Sequence, residues 1–515
     1  MDIIASLPVY AAVALLSYTL YGAIWRLYFS PVAKFPGPRL AALSFWYEFY
    51  YDVVKGGAYV FQIEKMHQIY GPIVRINPYE LHINDTDLDF LSKLYPSIGK
   101  EVDKFWWSAG MFGNTEMTFG TIGHNLHKMR RAAFAKFLSP AYIRKLEPLL
   151  KDLVSSMITK IEAGLKEGRT INLVHAYSAL TQDVITEYCF SFSRKCLEKE
   201  NFAPHYYEWM QIHCTFTPII KQLPWLLPML NKLPDWWVKR TDDAVWLIRM
   251  QEAEYLAQVR AVMSGDDKDK TSHITIFHEI LNEPLLPPSE KTEMRMKAEA
   301  TSLVGAGTLT SAHMLSLTTY FVLSNHEIHK KLSDELGVAM PDPASSPSQQ
   351  VFESLPYLNA VLDEGLRLSY GSMHRLSRSH PKDTLQYRDW IIPPGTPVGY
   401  SAYTLHRNPE VFPEPEKFKP ERWLNLAPAD RQHLRAHLNN FGRGSRQCVG
   451  MRLAYAELYL TLGYLFRRLG SKVQLQDTEY ERDVAFLQDY FIPAPSRQSK
   501  GVRVVMKLDA SEATT

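Results

Sequence analysis

The stretch FGRGSRQCVG, residues 441–450, constrains this chain more than any other. It packs three glycines, two arginines and one cysteine into ten residues. The segment after it, VGMRLAYAELYLTLGYLFRRLG (449–470), has the apolar spacing of a helix. Leu458, Leu462, Leu465, Phe466 and Leu469 fall on one face, and Gly470 ends it. Cys448 therefore stands at a helix N-terminus, where the dipole and free N–H groups stabilise a negative sulfur.

Four chemistries can use such a cysteine. A buried structural thiol is the commonest, but it leaves the glycines, Arg443 and Arg446 unexplained. A zinc site is conceivable, because His433 and His437 lie four apart shortly before Cys448. It needs no glycines, and the arginines oppose a cation. A phosphate cradle at Gly442-Arg443-Gly444 lacks both a preceding strand and the full fingerprint. A thiolate ligand to haem iron uses every unusual residue. Glycines let the backbone pass close to a flat macrocycle, Arg446 suits a propionate, and Phe441 shields the sulfur from water. Only three other cysteines exist, Cys189, Cys196 and Cys214, too few for a disulfide framework.

The N-terminus sets the second constraint. Ile3 to Trp25 carries no charge. As a helix it would be about 35 Å long, against a hydrocarbon core of about 30 Å. Its positive flank, Arg26, Lys34 and Arg39, follows the apolar run, so the positive-inside rule places the rest of the chain in the cytosol. Asn84, in an Asn-Asp-Thr sequon, should then carry no glycan. The expected organisation is a transmembrane anchor at 3–25, a proline-rich hinge at 26–40 around FPGPRL, and one catalytic domain at 41–508. Residues 71–84 and 385–400 read as short strands and turns, and 123–340 as mostly helix. Residues 264–272 and 341–350 read as surface loops. The aromatic segment 205–237 is either core or a surface touching the bilayer. A formal charge of +2 gives no reason to expect a nucleic-acid partner.

At Phe441, Gly444, Arg446, Cys448 and Gly450 the chain resembles the cytochrome P-450 superfamily, whose pattern is Phe-x-x-Gly-x-Arg-x-Cys-x-Gly. Other segments match in the family's order. EGLR supplies Glu364 and Arg367, and FKPERW supplies Arg422; in the family these three form a buried charge network. GAGTLTS, 305–311, matches the distal oxygen groove and implies Thr310 as the catalytic residue. The acid usual before that threonine is Leu309 here. HKMRR matches the propionate-binding helix at Arg130. The Trp or His expected four residues earlier is Leu126, with His127 beside it. Arg378 is a further propionate candidate.

The resemblance implies a mainly α fold with small β-sheets, one large domain behind the anchor, and haem b with Cys448 thiolate as axial ligand. It implies cofactor contacts from Arg130, His127, Arg378, Phe441 and Arg446. It implies a pocket lined by Met111, Phe112, Val304, Ala306, Met373 and Phe491, with Phe105, Trp106 and Ser372 beside them. The expected activity is monooxygenation of a lipophilic secondary metabolite, a terpenoid by the pocket's character. It would use O2 and electrons from an NADPH-cytochrome P-450 reductase at the endoplasmic reticulum. Lys128, Arg131, Arg435 and Arg443 are candidates for its docking face. The whole chain is most similar to fungal microsomal members. A haem-thiolate isomerase or dehydratase needing no O2 is the rival enzyme, and a haem sensor the non-enzymatic alternative.

Overall fold

The uncharged N-terminal run forms helix α1 (Asp2–Ile24) and continues helically through Phe29. The stretch Leu7–Phe29 is long and apolar enough to cross a membrane, and none of it is buried against the rest of the chain. The computed structural model describes residues 2–190, 192–241, 243–266 and 275–507. Most of the expected 264–272 loop and the end of the expected domain at 508 lie outside these.

The segment expected as a hinge is pinned to the body. Val32 and Phe35 are buried in a small core, and Phe35 stacks on Trp390 at 5.0 Å. A Cβ on Gly37 would meet the Arg75 carbonyl oxygen at 2.3 Å, so only glycine fits there. Arg75 donates to the Arg26 and Pro78 carbonyls, each at 2.8 Å. The chain thus leaves α1 along a fixed path.

Strands β1 (Ile73–Arg75), β2 (Leu81–Ile83), β3 (Asp103–Lys104), β4 (Arg378–Ser379) and β5 (Val398–Gly399) form one sheet in the order β1-β2-β5-β4-β3. The β1–β2 turn is built as the sequence suggests, with Asn77 Oδ1 accepting the Tyr79 and Glu80 N–H groups. A hairpin of β6 (Gln488–Tyr490) and β7 (Ile492–Ala494) carries Phe491 at its tip.

The helical body holds the main core. Its principal members here are α2 (His124–Ala135), α3 (Leu173–Phe190), α4 (Pro204–Gln222), α5 (Glu293–Ser324), α6 (Pro356–Ser369) and α7 (Met451–Arg468). Thr292 caps α5 by accepting the Arg295 N–H. Glycines set two close crossings on α5. A Cβ on Gly307 would meet Ile185 of α3 at 2.7 Å, and one on Gly365 of α6 would meet Thr318 at 2.3 Å. The aromatic segment 205–237 divides in two. Tyr206, Tyr207, Met210 and Cys214 belong to the core, whereas Trp225, Met229, Trp236 and Trp237 are exposed, Trp236 at 69%.

Glu364 and Arg367 sit three apart on α6, fully buried. The guanidinium grips the carboxylate in a fork, Nη2 to Oε1 at 2.8 Å and Nε to Oε2 at 3.0 Å. Arg422 Nε adds a bond to Oε1 at 3.0 Å, the Lys419 N–H one at 2.8 Å, and Trp423 Nε1 one to Oε2 at 2.9 Å. The remaining Arg367 donors reach the His406, Pro415 and Lys417 carbonyls. Trp423 was not anticipated; a lone tryptophan after Arg422 carries no sequence signal. Glu364→Ala should cost about 3–5 kcal/mol, because it strands two guanidinium groups. Trp423→Phe, which removes one donor, should cost only about 1–3 kcal/mol. Urea unfolding midpoints of the two variants check the ranking.

Candidate active site

The loop before α7 is shaped by the residues that mark it. Gly442 and Gly444 have φ of +63° and +69°, which favour glycine. A Cβ on Gly444 would meet the Tyr95 carbonyl oxygen at 2.4 Å. The Cys448 N–H donates to the Phe441 carbonyl at 2.7 Å and closes the loop. Gly450 and Met451 N–H groups donate to the Cys448 sulfur and favour its thiolate, as does the Arg131 charge. Burial outweighs them and pushes the thiol pKa up. The cysteine nonetheless keeps an accessible side. α5 packs on α7 and has an open stretch of its own: Ala306 is exposed in mid-helix although Val304, Thr308 and Leu309 nearby are buried.

The electrostatics around Cys448 are one-sided. Burial pushes Lys104, Arg131, Arg378 and Arg446 below their ordinary values, Arg446 to about 9. Among the described residues none of the four has an ion-pair partner. Arg446 donates to the Thr121 carbonyl at 2.6 Å, the Ile122 carbonyl at 2.5 Å and the Val102 carbonyl at 3.4 Å. Arg378 donates to the Leu376 and Ser377 carbonyls. His127 is held neutral by burial and by the charges of Arg446, Arg131, Arg378 and Lys104. Buried cations without anions are costly. Haem fits this site: Cys448, with two N–H donors, would ligate its iron, and Arg131, Arg378 and Arg446 are buried cations that would suit two propionates.

Arg130 is turned elsewhere. It pairs with Glu290, Nε to Oε2 at 2.6 Å and Nη2 to Oε1 at 3.0 Å, and bonds Thr121 Oγ1 at 2.9 Å. The cation of α2 that feels Cys448 is Arg131, four residues after His127 and on its face of the helix. The i, i+4 pair His127–Arg131 was the available signal, and counting from Arg130 missed it by one residue. The docking candidates also divide. Lys128 is exposed, whereas Arg435 pairs with Asp363 at 2.6 Å and Arg443 turns to the Ala436 and Leu438 carbonyls. His437 directs its ring nitrogens at the His433 and Thr86 carbonyls, not toward Cys448.

Of the expected pocket residues, Phe112 and Phe491 meet at 5.0 Å between ring centroids, and Phe119 touches both at 5.6 and 5.5 Å. His213 of α4 stacks on Phe112 at 6.3 Å. Phe119 and His213 were not foreseen, since nothing local marks them. Phe491 has φ +75°, a strained value for a bulky residue, and the hairpin tip imposes it. Met111 and Phe105 are buried. Val304 and Met373 differ from expectation: both are fully buried core residues, Val304 in the main core and Met373 with Val60, Tyr370 and Tyr403. Ser372 leaves its hydroxyl without a partner. Trp106 is exposed and packs edge-on to Phe45 at 6.0 Å.

Thr310 Oγ1 donates to the Ala306 carbonyl at 2.8 Å, the helical back-bond, so its oxygen lone pairs remain free. Leu309 is buried in the main core. Its position thus cannot present an acid to the open stretch of α5, and an aspartate there would be a buried charge. Gly307 serves the α3 contact, and the open side belongs to Gly305 and Ala306.

A family model described as Cytochrome P450 matches residues 36–489. The chain belongs to the cytochrome P450 family. The P450 relatives span nearly all of it. The cytochrome P450 monooxygenase MO6277 of Ascocoryne sarcoides is 39% identical over 96% of this chain and 97% of its own. The tryptophan 6-hydroxylase fscE of Fusarium equiseti is 40% identical over 94% of each. The N-acetyltryptophan 6-hydroxylase ivoC of Emericella nidulans is 38% identical over 98% of this chain and 99% of its own. This P450 is therefore a monooxygenase, mainly helical with small sheets, and the family implies haem with a cysteine thiolate ligand.

One buried acid lies beside α5. Glu457 of α7 is fully buried against Ser311 of α5, and burial raises its pKa to about 8. Among the described residues its Oε1 has no hydrogen-bond partner. The folded protein keeps this proton where the unfolded chain, near 4.5, loses it. Stability should therefore fall as pH rises from about 4.5 to about 8 and then level off, at no more than about 1.4 kcal/mol per pH unit. Glu457→Gln should flatten that decline, as measured by guanidinium midpoints between pH 5 and pH 9.

Proposed function

We propose that this P450 hydroxylates a lipophilic secondary metabolite of terpenoid character, with electrons from an NADPH-dependent reductase, at the cytosolic face of the endoplasmic reticulum. The observation that carries the reading is the pairing of an N–H-supported Cys448 with unpartnered buried cations opposite an open, small-residue stretch of α5. When bound, haem with a thiolate ligand supplies O2 activation for insertion of one oxygen atom into a C–H bond.

The chain's own residues have separable roles. Cys448 would ligate the haem iron; the Gly450 and Met451 N–H groups and Arg131 favour its thiolate against the opposing effect of burial. His127, Arg131, Arg378 and Arg446 would hold the propionates, and Phe441 would screen the sulfur. Phe112, Phe119 and Phe491 orient the substrate against Ala306. Thr310, its proton committed to Ala306, accepts a hydrogen bond from water and passes protons inward with it. A second substrate class, an aromatic one, is favoured by that ring cluster and by the tryptophan and N-acetyltryptophan hydroxylases among the relatives. The exposed Trp225, Trp236 and Trp237, with α1, suit a bilayer surface.

Reduced, CO-treated protein should show the red-shifted Soret band of thiolate ligation, and Cys448→Ser should abolish it. The same band should survive Cys189→Ser, Cys196→Ser and Cys214→Ser. Product formed equally under air and nitrogen would favour the isomerase instead. Thr310→Ala should divert most reducing equivalents to peroxide at the expense of product, read as the ratio of peroxide to NADPH consumed. Deleting residues 1–30 should reduce membrane association in flotation assays and leave the CO band intact.

A further inference from the structure

Lys104 is buried at 2% exposure in β3, and its register partner in β4 is Arg378. Like charges directly opposed on neighbouring strands repel, and a buried ammonium needs compensation. No described acidic side chain supplies it. The preceding Asp103 accepts the His124 N–H instead. The Lys104 ammonium donates to the Phe119 carbonyl at 2.8 Å and stands 3.3 Å from the centre of the Phe119 ring. It is therefore turned toward the cluster of Phe112, Phe119 and Phe491.

His374 is a second unpartnered group. It is 6% exposed, and among the described residues neither ring nitrogen has a hydrogen-bond partner. Its neighbours in sequence are committed. Met373 packs with Val60 and Tyr370 and donates its N–H to the Phe491 carbonyl at 2.8 Å. Arg375 pairs with Glu48 and Glu80. The charges that meet His374 are Lys221, Arg375, Lys104 and Arg378, and with burial they keep the ring neutral. Lys221 is neutralised by Glu48 and Asp52; Lys104 and Arg378 are not.

A neutral imidazole offers one N–H, and an ammonium offers charge. Together they complement a carboxylate. Arg131, Arg378 and Arg446 are three cations for two propionates, and Lys104 is the cation turned to the aromatic side. We propose that Lys104 and His374 form an anion site at the edge of the aromatic pocket, and that it takes the carboxylate of an otherwise apolar or aromatic substrate. This deepens the monooxygenase reading and rests on it. Holding the acid at one end fixes which carbon faces Ala306.

The test uses the haem-loaded full chain in detergent, with three acids and their methyl esters as probes: dodecanoic, indole-3-butyric and abietic acid. Binding is read by the Soret spin-state shift and independently by equilibrium dialysis. At least one acid should bind ten or more times tighter than its ester. Lys104→Met should bring that ratio close to one with the ester's affinity and the CO band unchanged, and Lys104→Arg should preserve it. His374→Leu should lower the ratio at least threefold. Equal binding of acid and ester, or no binding by any acid, overturns the proposal. So does loss of haem in Lys104→Met, which would assign the ammonium to a propionate. Absence of the thiolate CO band in the wild type would instead refute the haem-thiolate reading, independently of the dialysis comparison.

Discussion

The Glu364–Arg367 pair holds the proximal half of this molecule together, and its reach explains the position of Cys448. The fork on α6 also binds Arg422, Trp423 and the Lys419 N–H, so the segment after residue 410 folds around a buried carboxylate. Arg367 further fixes His406. The His406 Nδ1–H donates to the Arg367 carbonyl at 2.8 Å, which leaves Nε2 to accept the Asn439 N–H at 2.8 Å. Burial keeps that imidazole neutral, as the acceptor role requires. Asn440 then bonds the Leu366 carbonyl, and the cysteine loop starts one residue later. A buried ion pair adds little net stability over apolar packing. Here its many directional donors specify where the loop starts.

The active space inverts the usual balance. In the brace every buried charge has a partner. Around Cys448, Lys104, Arg131, Arg378 and Arg446 have none within the described residues, and each is pushed toward its neutral form by burial. Such a cavity favours anions by default. Of the four, Arg131 is the charge that acts on the Cys448 sulfur and favours its thiolate.

α5 shows how one helix carries two opposed demands. Its buried faces require close packing, met by Gly307 against Ile185 and by Leu309 in the main core. Its open side requires small residues, met by Gly305 and Ala306. The Thr310 hydroxyl is satisfied within the helix, which lets a polar residue stand beside an apolar pocket at little cost. Glu457 and Ser311 brace this helix from the α7 side.

What the sequence determined by itself is what short-range chemistry dictates. The uncharged apolar run specifies α1, helical spacing specifies α7, the Asn77 turn specifies the β1–β2 hairpin, and the glycine and cysteine spacing specifies the loop. Spacing put Glu364 and Arg367 on one helix face, but their burial as a charge network was implied by the family resemblance alone. The tertiary structure alone decided which charges are partnered. Arg130 meets Glu290, 160 positions away, whereas Arg131 beside it faces Cys448, because consecutive residues lie about 100° apart around a helix. Met373 and Val304 carry the apolar character of pocket residues, but orientation put both into core. Lys104 reads as an ordinary surface lysine until β3 pairs with β4 and buries it opposite Arg378. Trp423, Phe119 and His374 become informative only through partners, or missing partners, that the chain brings in from afar.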